Sequence, residues 1–369
     1  MRKGWEYKSF ETCINKLPKP KQVKTSEYSS GTKYPIISQE DKLISGYYDD
    51  ESYVFHIDSP VVIFGDHTRV LKYVDFDFVV GADGVKIISP KRELNAKFLL
   101  YYLQWYKIPN LGYSRHYKLL KEIKIPLPPK STQLAIVSEL DKINELIRLK
   151  KEQLKDFGNL AQSLFYEMFG DPVENEKGWE VKKLGELLKV IGGYAFKSDK
   201  YKDEGIPILR IGNINSGFFR DTNLVFAESD EKLERYKIFP GDIVISLTGT
   251  VGKSDYGNVC IMDDAYNFYY LNQRNAKLEI FGNLDKYYLS AILKNEVIKS
   301  RLTSISRGVR QANIANKDIE NLQIPLPPLS LQRLFAQRIE QIDREKSEVQ
   351  KSIQDLETLL ASRMQYWFE

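Results

Sequence analysis

Two long segments of the chain carry the same seven-residue repeat of apolar positions, which limits the fold more than any other feature. Each segment follows the sequence Ile-Pro-Leu-Pro-Pro, found at 125–129 and again 199 residues later at 324–328. Apolar residues kept seven apart over five heptads predict a coiled-coil seam. The predicted seam consists of Ile136, Leu140, Ile143, Ile147, Leu154, Phe157, Leu164, Phe335, Ile339, Ile342, Val349, Ile353, Leu356, Leu360 and Trp367.

Neither seam is expected to be stable in water by itself, so the simplest arrangement pairs the two helices within the chain. The prolines before each segment cannot continue a helix from upstream, and Ser131 and Ser330 are predicted N-caps. The alternative is a pair of ordinary amphipathic helices in separate domains. Because the heptad register survives the offset of 199 residues, we favour an internal repeat.

A second repeated sequence marks the start of each half. "KGWEYKSFE" begins at Lys3 and "KGWEVKKLGE" begins at Lys177, an offset of 174. Each half therefore has a Gly-Trp-Glu start, a body, the proline-rich block and a long helix. The bodies differ in length, because Ile125 lies 121 residues after Gly4 whereas Ile324 lies 146 residues after Gly178.

Strand-like runs and helical patches alternate in both bodies, which predicts an α+β protein with two globular mixed α/β domains and two long helices. The runs include "SYVFHI", "PVVIFG" and "DFVVG" in the first body, and "IPILRIGNI", "GDIVISLTG" and "NVCIMD" in the second. "NAKFLLYYLQWYK" and "DKYYLSAILKNEVIKSRL" are the predicted helices. The predicted domains are residues 1–130 and 171–329, with the helices at 131–170 and 330–369.

Composition fits this picture and limits the function. A chain of 369 residues suggests two domains. The sequence has neither an apolar run of the ~18 residues that span a membrane nor a signal-like start. The scattered Cys13 and Cys260 favour a reducing cytoplasm. The range from Lys91 to Lys130 contains nine Lys and Arg residues but only two Glu residues. This excess of positive charge is typical of a surface that binds a polyanion or, alternatively, of a solvated basic face.

Motifs that would indicate catalysis are incomplete. "GTVGKS" at 249–254 lacks the phosphate-loop glycine, because Leu247 stands at that position, and strand-like sequence flanks it. "GDHTR" at 65–69 has no nucleophile and acid to complete a dyad. Dinucleotide, metal-binding and adenine-methyltransferase motifs were also not found. The sequence therefore predicts a binding protein without catalytic residues or a metal site.

The ordered, duplicated set of motifs resembles the specificity subunit of Type I restriction-modification systems, over essentially the whole chain. The resemblance rests on the Gly-Trp-Glu starts, IPLPP-x-Ser-x-Gln and the heptad helices. It also includes "YAFKSDKYKDEGIPILRIGNI", "FPGDIVISLTGTVG" and "LNQRNAKL" in the second body, and "GDHTRVLKYVDFDFVVGADGVKI" in the first. No single piece is specific, whereas the combination is.

The resemblance implies that this chain recognises DNA within a host-defence complex whose other subunits carry out catalysis. Each body would be a target recognition domain that reads one half of a split double-stranded DNA site. The helices would form an antiparallel coiled coil that docks two modification (methyltransferase) subunits, and restriction subunits would cleave DNA. S-adenosylmethionine, and ATP with Mg, would bind the partners and not this chain.

Polar and basic side chains in predicted loops are the candidate DNA contacts. Lys197 and Lys253 are predicted phosphate contacts, whereas Arg310 and Gln311 are predicted to read bases. Arg210 and Arg274 lie in strand-like sequence and have a structural role as their alternative. The candidates are His67, Thr68, Arg69, Lys72, Arg115, His116, Lys197, Arg210, Asn213, Lys253, Arg274, Arg307, Arg310, Gln311 and Asn313.

Two other functions remain open from the sequence alone. One is a coiled-coil adaptor that binds DNA without sequence preference. The other is a methyltransferase or nuclease with an unfamiliar active site.

Overall fold

The computed structural model describes residues 4–31, 33–112, 114–215, 217–251, 253, 255–304 and 311–369, without the side chain of Gln311. The chain divides into two compact units. Unit 1 contains residues 1–153 and 349–369, and unit 2 contains residues 154–348. In the described part of the chain, no helix combines the length and the apolar character that a bilayer-spanning segment needs.

Unit 1 packs helices against two sheets. Its strands are β1 (Glu6–Ser9), β2 (Gln22–Val23), β3 (Tyr34–Ile37), β4 (Gly46–Tyr48), β5 (Val54–Phe55), β6 (Val61–Gly65), β7 (Leu71–Val74), β8 (Phe78–Gly81), β9 (Val85–Ile88) and β10 (Lys124–Leu127). Its helices are α1 (Phe10–Cys13), α2 (Ala96–Tyr106), α3 (Tyr117–Lys121) and the first part of α4 (Lys130–Phe169). One sheet has the order β2-β8-β3-β4 with β5 on β8, and the other has the order β7-β6-β9.

Unit 2 uses different sheets. Its strands are β11 (Glu180–Lys183), β12 (Leu188–Gly192), β13 (Ile206–Leu209), β14 (Phe226–Ala227), β15 (Lys237–Ile238), β16 (Ile243–Ser246), β17 (Thr248–Thr250), β18 (Val259–Ile261), β19 (Tyr269–Leu271), β20 (Asn275–Ile280), β21 (Gln311–Asn313) and β22 (Gln323–Leu326). Its helices are α5 (Ile211–Ile214), α6 (Lys286–Lys294), α7 (Glu296–Thr303), α8 (Asn316–Glu320) and part of α9 (Leu329–Phe368). The larger sheets have the orders β12-β20-β16-β18 and β14-β13-β19-β15, and β17 pairs with β21.

The two repeated sequences pair with each other in the same way in both units. Strand β1 runs antiparallel to β10 with Glu6 opposite Leu127, and β11 runs antiparallel to β22 with Glu180 opposite Leu326. The Gly-Trp-Glu strand and the Ile-Pro-Leu-Pro strand thus close each body at its junction with the long helix. The offsets of 174 and 199 differ because the intervening bodies differ in length.

Both long helices have 40 residues, and the predicted seam lies on their packed faces. All fifteen predicted seam residues are buried or half-buried. In unit 1, α4 and α9 are antiparallel, because Glu139 contacts Arg363 whereas Lys151, further along α4, contacts Glu357, which lies earlier in α9. In unit 2, Phe335 of α9 packs on α4.

Three local predictions were wrong. The helices begin at Lys130 and Leu329, so the serines lie in the first turn, and the carbonyls of Pro129 and Pro328 accept the first helical hydrogen bonds. The end of "IPILRIGNI" forms the short helix α5 instead of a strand. The single helix predicted at 285–302 is divided at Asn295, whose side chain accepts hydrogen bonds from Val297 N and Ile298 N and starts α7.

Candidate nucleic-acid interface

The turn between β6 and β7 presents three of the candidate residues in unit 1. Arg69 adopts a left-handed conformation (φ 62°), and its amide donates to Gly65 O at 2.7 Å. Thr68 Oγ1 donates to Gln39 O at 2.7 Å, and Arg69 Nη1 donates to Ile108 O at 3.1 Å. Thr68 is exposed, whereas His67 and Arg69 are half-buried. The turn is therefore rigid and presents Thr68 to solvent.

A buried histidine joins this turn to the basic loop before α3. His116 is fully buried, its Nδ1 and its amide lie 2.9 Å from Asp66 O, and its Nε2 accepts from Leu111 N at 3.0 Å. This pattern requires a neutral ring protonated on Nδ1. The prediction that His116 contacts DNA was therefore wrong in this structure, because both ring nitrogens bind backbone. The exposed Arg115 beside it stays a candidate.

Lys72 and Asn213 are also engaged inside the protein, which corrects their prediction as DNA contacts. Lys72 is 6% exposed, and its ammonium donates to Ser38 O at 2.9 Å and to Lys42 O. Burial lowers the pKa of Lys72. Asn213 is 2% exposed, and its amide binds Arg210 N, Arg220 O and Thr222 O. Both side chains hold loops of their own domain.

In unit 2, backbone pairing brings four candidate positions close together. Strand β17 pairs with β21, which places Thr250 opposite Gln311 and Thr248 opposite Asn313. Leu247 N, just before β17, donates to Arg274 O at 2.8 Å. Arg274, Lys253 and Asn313 are exposed. We call the surface formed by the 271–275 turn, β17, Lys253 and β21 the ribbon face.

One carboxylate binds the end of strand β17 in the ribbon face. Asp255 Oδ1 accepts from Thr250 N at 2.9 Å, and Oδ2 accepts from Thr250 Oγ1 at 2.8 Å. The backbone hydrogen bond from Thr250 is the main reason that the pKa of Asp255 is lowered. An ionised Asp255 holds Thr250, and the exposed ammonium of Lys253 nearby can meet a phosphate.

The remaining candidates are divided between other places. Lys197 is exposed just before a short 3₁₀ turn. Arg210 is half-buried, donates to Asn223 O and lies over the ring of Tyr201 at 5.8 Å, which supports its structural alternative. Arg307 and Arg310 lie outside the described residues, and Gln311 is described only through its backbone in β21.

Sequence reasoning missed two exposed residues of the ribbon face and its edge. Gln273 precedes Arg274 in the 271–275 turn, and Gln273 N donates to Tyr194 O at 2.9 Å. Tyr194 is 42% exposed and packs against Phe196 and Tyr236. An amide can recognise adenine, and an aromatic ring can stack on a base. The turn residues "NQRN" between two strands were the available signal.

The described residues contain no group of three or more His, Cys, Asp or Glu side chains arranged to hold a metal ion. Both thiols are buried, and burial raises the pKa of Cys260 to about 12, which disfavours its nucleophilic thiolate.

The sequence matches the family described as the Type I restriction modification DNA specificity domain, over residues 3–156 and 176–358. The Type I restriction enzyme MjaVIII specificity subunit of Methanocaldococcus jannaschii is 27% identical over 66% of this chain, which corresponds to 62% of that protein. The EcoKI specificity subunit of Escherichia coli is 27% identical over 46% of this chain and 38% of that protein. The alignments therefore span less than two thirds of these relatives.

Two solved structures share the fold. The S subunit of the Type-I restriction-modification system from M. genitalium aligns with a TM-score of 0.60 and 18% identity, covering 98% of this chain and 95% of that one. A chain from a study of complex assembly and conformational transition in the type I R-M system aligns with a TM-score of 0.56 and 20% identity. It covers 100% of this chain and 98% of that one.

Proposed function

Because the chain belongs to the Type I restriction modification DNA specificity family, we propose that it reads a bipartite double-stranded DNA site for a restriction-modification complex. Each body reads one half-site, with the ribbon face contacting DNA in unit 2 and the turn at 66–70 contacting it in unit 1. The proposed domains are residues 1–130 and 171–329, and the helices are 131–170 and 330–369.

The observation that carries this proposal is one junction used twice with two different bodies. The registers of β1 on β10 and of β11 on β22 are the same, whereas the sheets that they enclose differ in strand order. A shared junction with different loops and sheets suits two modules that are held alike and recognise different sequences. A nonspecific DNA adaptor would not need two different bodies.

The chemistry belongs to partners in this proposal. The paired helices dock two modification subunits, which bind S-adenosylmethionine and methylate adenine after flipping the base. Restriction subunits supply ATP- and Mg-dependent cleavage. The chain itself contributes binding and specificity.

Exchanging one body tests the proposal directly. Residues 184–322 are replaced by the corresponding body of a relative, which keeps β11 and β22 intact, and the complex with modification subunits is assayed by methylation sequencing. We expect one half of the methylated site to change and the other half to remain. A change in both halves would contradict the hypothesis that each body recognises one half-site. Methylation without sequence preference would favour the nonspecific adaptor. Methyl transfer by the isolated chain would establish the enzyme alternative.

The phosphate contact proposed for Lys253 has its own test. Lys253→Ala should weaken binding about equally for all sequences and lower the salt slope by ~1, because one phosphate contact is lost. Lys351→Ala removes an exposed lysine of α9 and should leave DNA binding unchanged. A sequence-dependent loss in the Lys253 variant would instead assign a base contact to it.

A further inference from the structure

Each long helix carries one buried glutamine in its first turn. Gln133 of α4 is 1% exposed and Gln332 of α9 is fully buried. The two residues are equivalent at the offset of 199. A buried amide must find hydrogen-bond partners, so its surroundings reveal what it holds.

The two glutamines make the same three hydrogen bonds in their own units. In unit 1, Gln133 Oε1 accepts from Asn95 N at 2.8 Å, and Nε2 donates to Glu93 O and Pro128 O, both at 2.9 Å. In unit 2, the corresponding atoms of Gln332 bind Asp285 N at 2.8 Å, Asn283 O at 3.3 Å and Pro327 O at 2.8 Å.

The groups held by the glutamines are equivalent in the two units. Asn95 and Asp285 are the N-caps of α2 and α6, and Glu93 and Asn283 each lie two residues before the cap. The third partner is the first proline of the Pro-Pro pair that leads into the long helix. Each amide thus ties a helix of the body, and the strand that closes the body, to the long helix.

An amide suits this junction because it offers one acceptor and two donors in a fixed plane. The position of each glutamine along its helix is also set by a backbone hydrogen bond. The backbone N–H of Gln133 donates to Pro129 O, and that of Gln332 donates to Pro328 O. A second contact lies further along α4, where Asp141 accepts from Lys97 and Tyr101, but the Lys97 and Asp141 side chains are 37% and 35% exposed. The buried glutamine is the stiffer and more directional of the two ties.

We propose that Gln133 and Gln332 are positioning residues that fix the orientation of each body on its long helix, and thereby limit the spacer lengths accepted between the half-sites. This inference rests on the proposed reading of a bipartite site. One added base pair moves a half-site by about 3.4 Å and turns it by roughly 35°. If the junction is stiff, the body cannot reorient on its long helix to reach the displaced half-site. If the junction is loosened, the body can reorient and bind it.

The experiment uses the full chain with its modification subunits. Initial methylation rates are measured on DNA with the native spacer and with spacers one base pair longer or shorter. Gln332→Met keeps the length of the side chain and removes all three hydrogen bonds. We expect it to reduce the preference for the native spacer by roughly tenfold, the factor equivalent to one buried hydrogen bond of about 1.4 kcal/mol. The preferred half-site sequences should stay the same.

Three further variants serve as comparisons for Gln332→Met. Gln332→Glu keeps an acceptor for Asp285 N but places a carboxylate oxygen against Asn283 O and Pro327 O, so it should reduce the spacer preference at least as much as Gln332→Met does. Gln337→Met removes an exposed glutamine five residues further along α9 and should behave as the unchanged protein. Gln133→Met should repeat the effect in unit 1.

An unchanged spacer preference in a folded Gln332→Met variant, with only a lower melting temperature, would overturn the proposal. Failure of both Gln332 variants to fold would also overturn it, because the residue would then be needed for folding itself. If the unchanged protein methylates no bipartite site, the proposed function fails instead, so the two failures are distinguishable.

Discussion

The two halves of the helix pair use equivalent positions with different chemistry. In unit 1, Glu139 of α4 accepts hydrogen bonds from Arg363 and from Trp367 Nε1, the latter at 3.0 Å. In unit 2, the residues equivalent to these three are Arg338, Leu164 and Met168. There, Phe335 packs on Phe165 and Phe169 with ring centroids 5.9 and 5.2 Å apart.

The two long helices are therefore complementary and not interchangeable. Two copies of α9 paired in the same register would place Arg338 of one copy against Arg363 of the other. Two copies of α4 would place Glu139 against Leu164, which offers no hydrogen bond. Both pairings are unfavourable compared with α4 on α9, because like charges repel and a partly buried carboxylate needs a partner.

The largest expected effect comes from the aromatic half. Phe335→Ala empties a fully packed site, so the unfolding free energy of unit 2 should fall by about 3–5 kcal/mol. Ile136→Ala at the equivalent position should cost unit 1 about 2–5 kcal/mol. Hydrogen exchange read by mass spectrometry follows each unit separately. Equal loss of protection in both units after either substitution would contradict the assignment of each residue to the core of one unit.

The charged half should respond to loss of its carboxylate. Glu139→Gln leaves the guanidinium of Arg363 without its counter-charge and should cost about 1 kcal/mol, since both side chains are 32% exposed. Arg338→Gln is the matched control at the equivalent position, and it should change stability by less than about 0.5 kcal/mol. Equal losses of unfolding free energy in the two variants would show that the Glu139–Arg363 ion pair does not stabilise unit 1.

The same pair of variants should differ in pH dependence. The hydrogen bond from Arg363 is the main cause that lowers the pKa of Glu139 below its ordinary value of 4.5. A carboxyl with a lowered folded pKa stabilises fully above 4.5 and loses that stabilisation as the pH falls through the folded pKa. The stability gap between the unchanged protein and Glu139→Gln should therefore shrink in acid, whereas the gap for Arg338→Gln should not follow this pattern.

The smallest effect is expected for Trp367→Phe. The substitution keeps an aromatic ring against the core of unit 1, and it removes the indole donor to Glu139 together with the part of the indole that phenylalanine lacks. The unfolding free energy should fall by about 0.5–1 kcal/mol. Met168→Leu at the equivalent position should cost less than about 1.5 kcal/mol, because it removes only the weak contact of Arg338 Nη1 with the Met168 sulfur at 4.0 Å. Measuring Trp367→Phe in a Glu139→Gln background would reveal coupling, which is expected only in unit 1.

The long helices and their inner faces could be predicted because heptad periodicity is a local property of the sequence. The junction could be predicted only in part. Gly-Trp-Glu and Ile-Pro-Leu-Pro-Pro were recognisable as repeats, but their pairing with each other was hidden by the unequal bodies. The partners of Gln133 and Gln332 were hidden for the same reason, since Asn95 and Asp285 are 190 residues apart and not 199.

The candidate DNA contacts were less predictable than the fold. Lys72 and Thr68 are close in sequence, yet Lys72 binds Ser38 O inside the domain whereas Thr68 reaches the surface. Residue type and loop context could not distinguish them, because the direction of a turn side chain depends on partners tens of residues away. His116 shows the same limit, since its partner Asp66 precedes it by 50 residues.

The pairing of β1 with β10, and of β11 with β22, has a thermodynamic consequence for the size of the bodies. Each pairing brings together chain ends separated by more than a hundred residues, so each body is a closed loop whose closure costs conformational entropy. That cost grows only with the logarithm of loop length. Loops of 121 and 146 residues differ by only about 0.2 kcal/mol in closure free energy. The same pair of strands can therefore close bodies of widely different length with almost no change in stability.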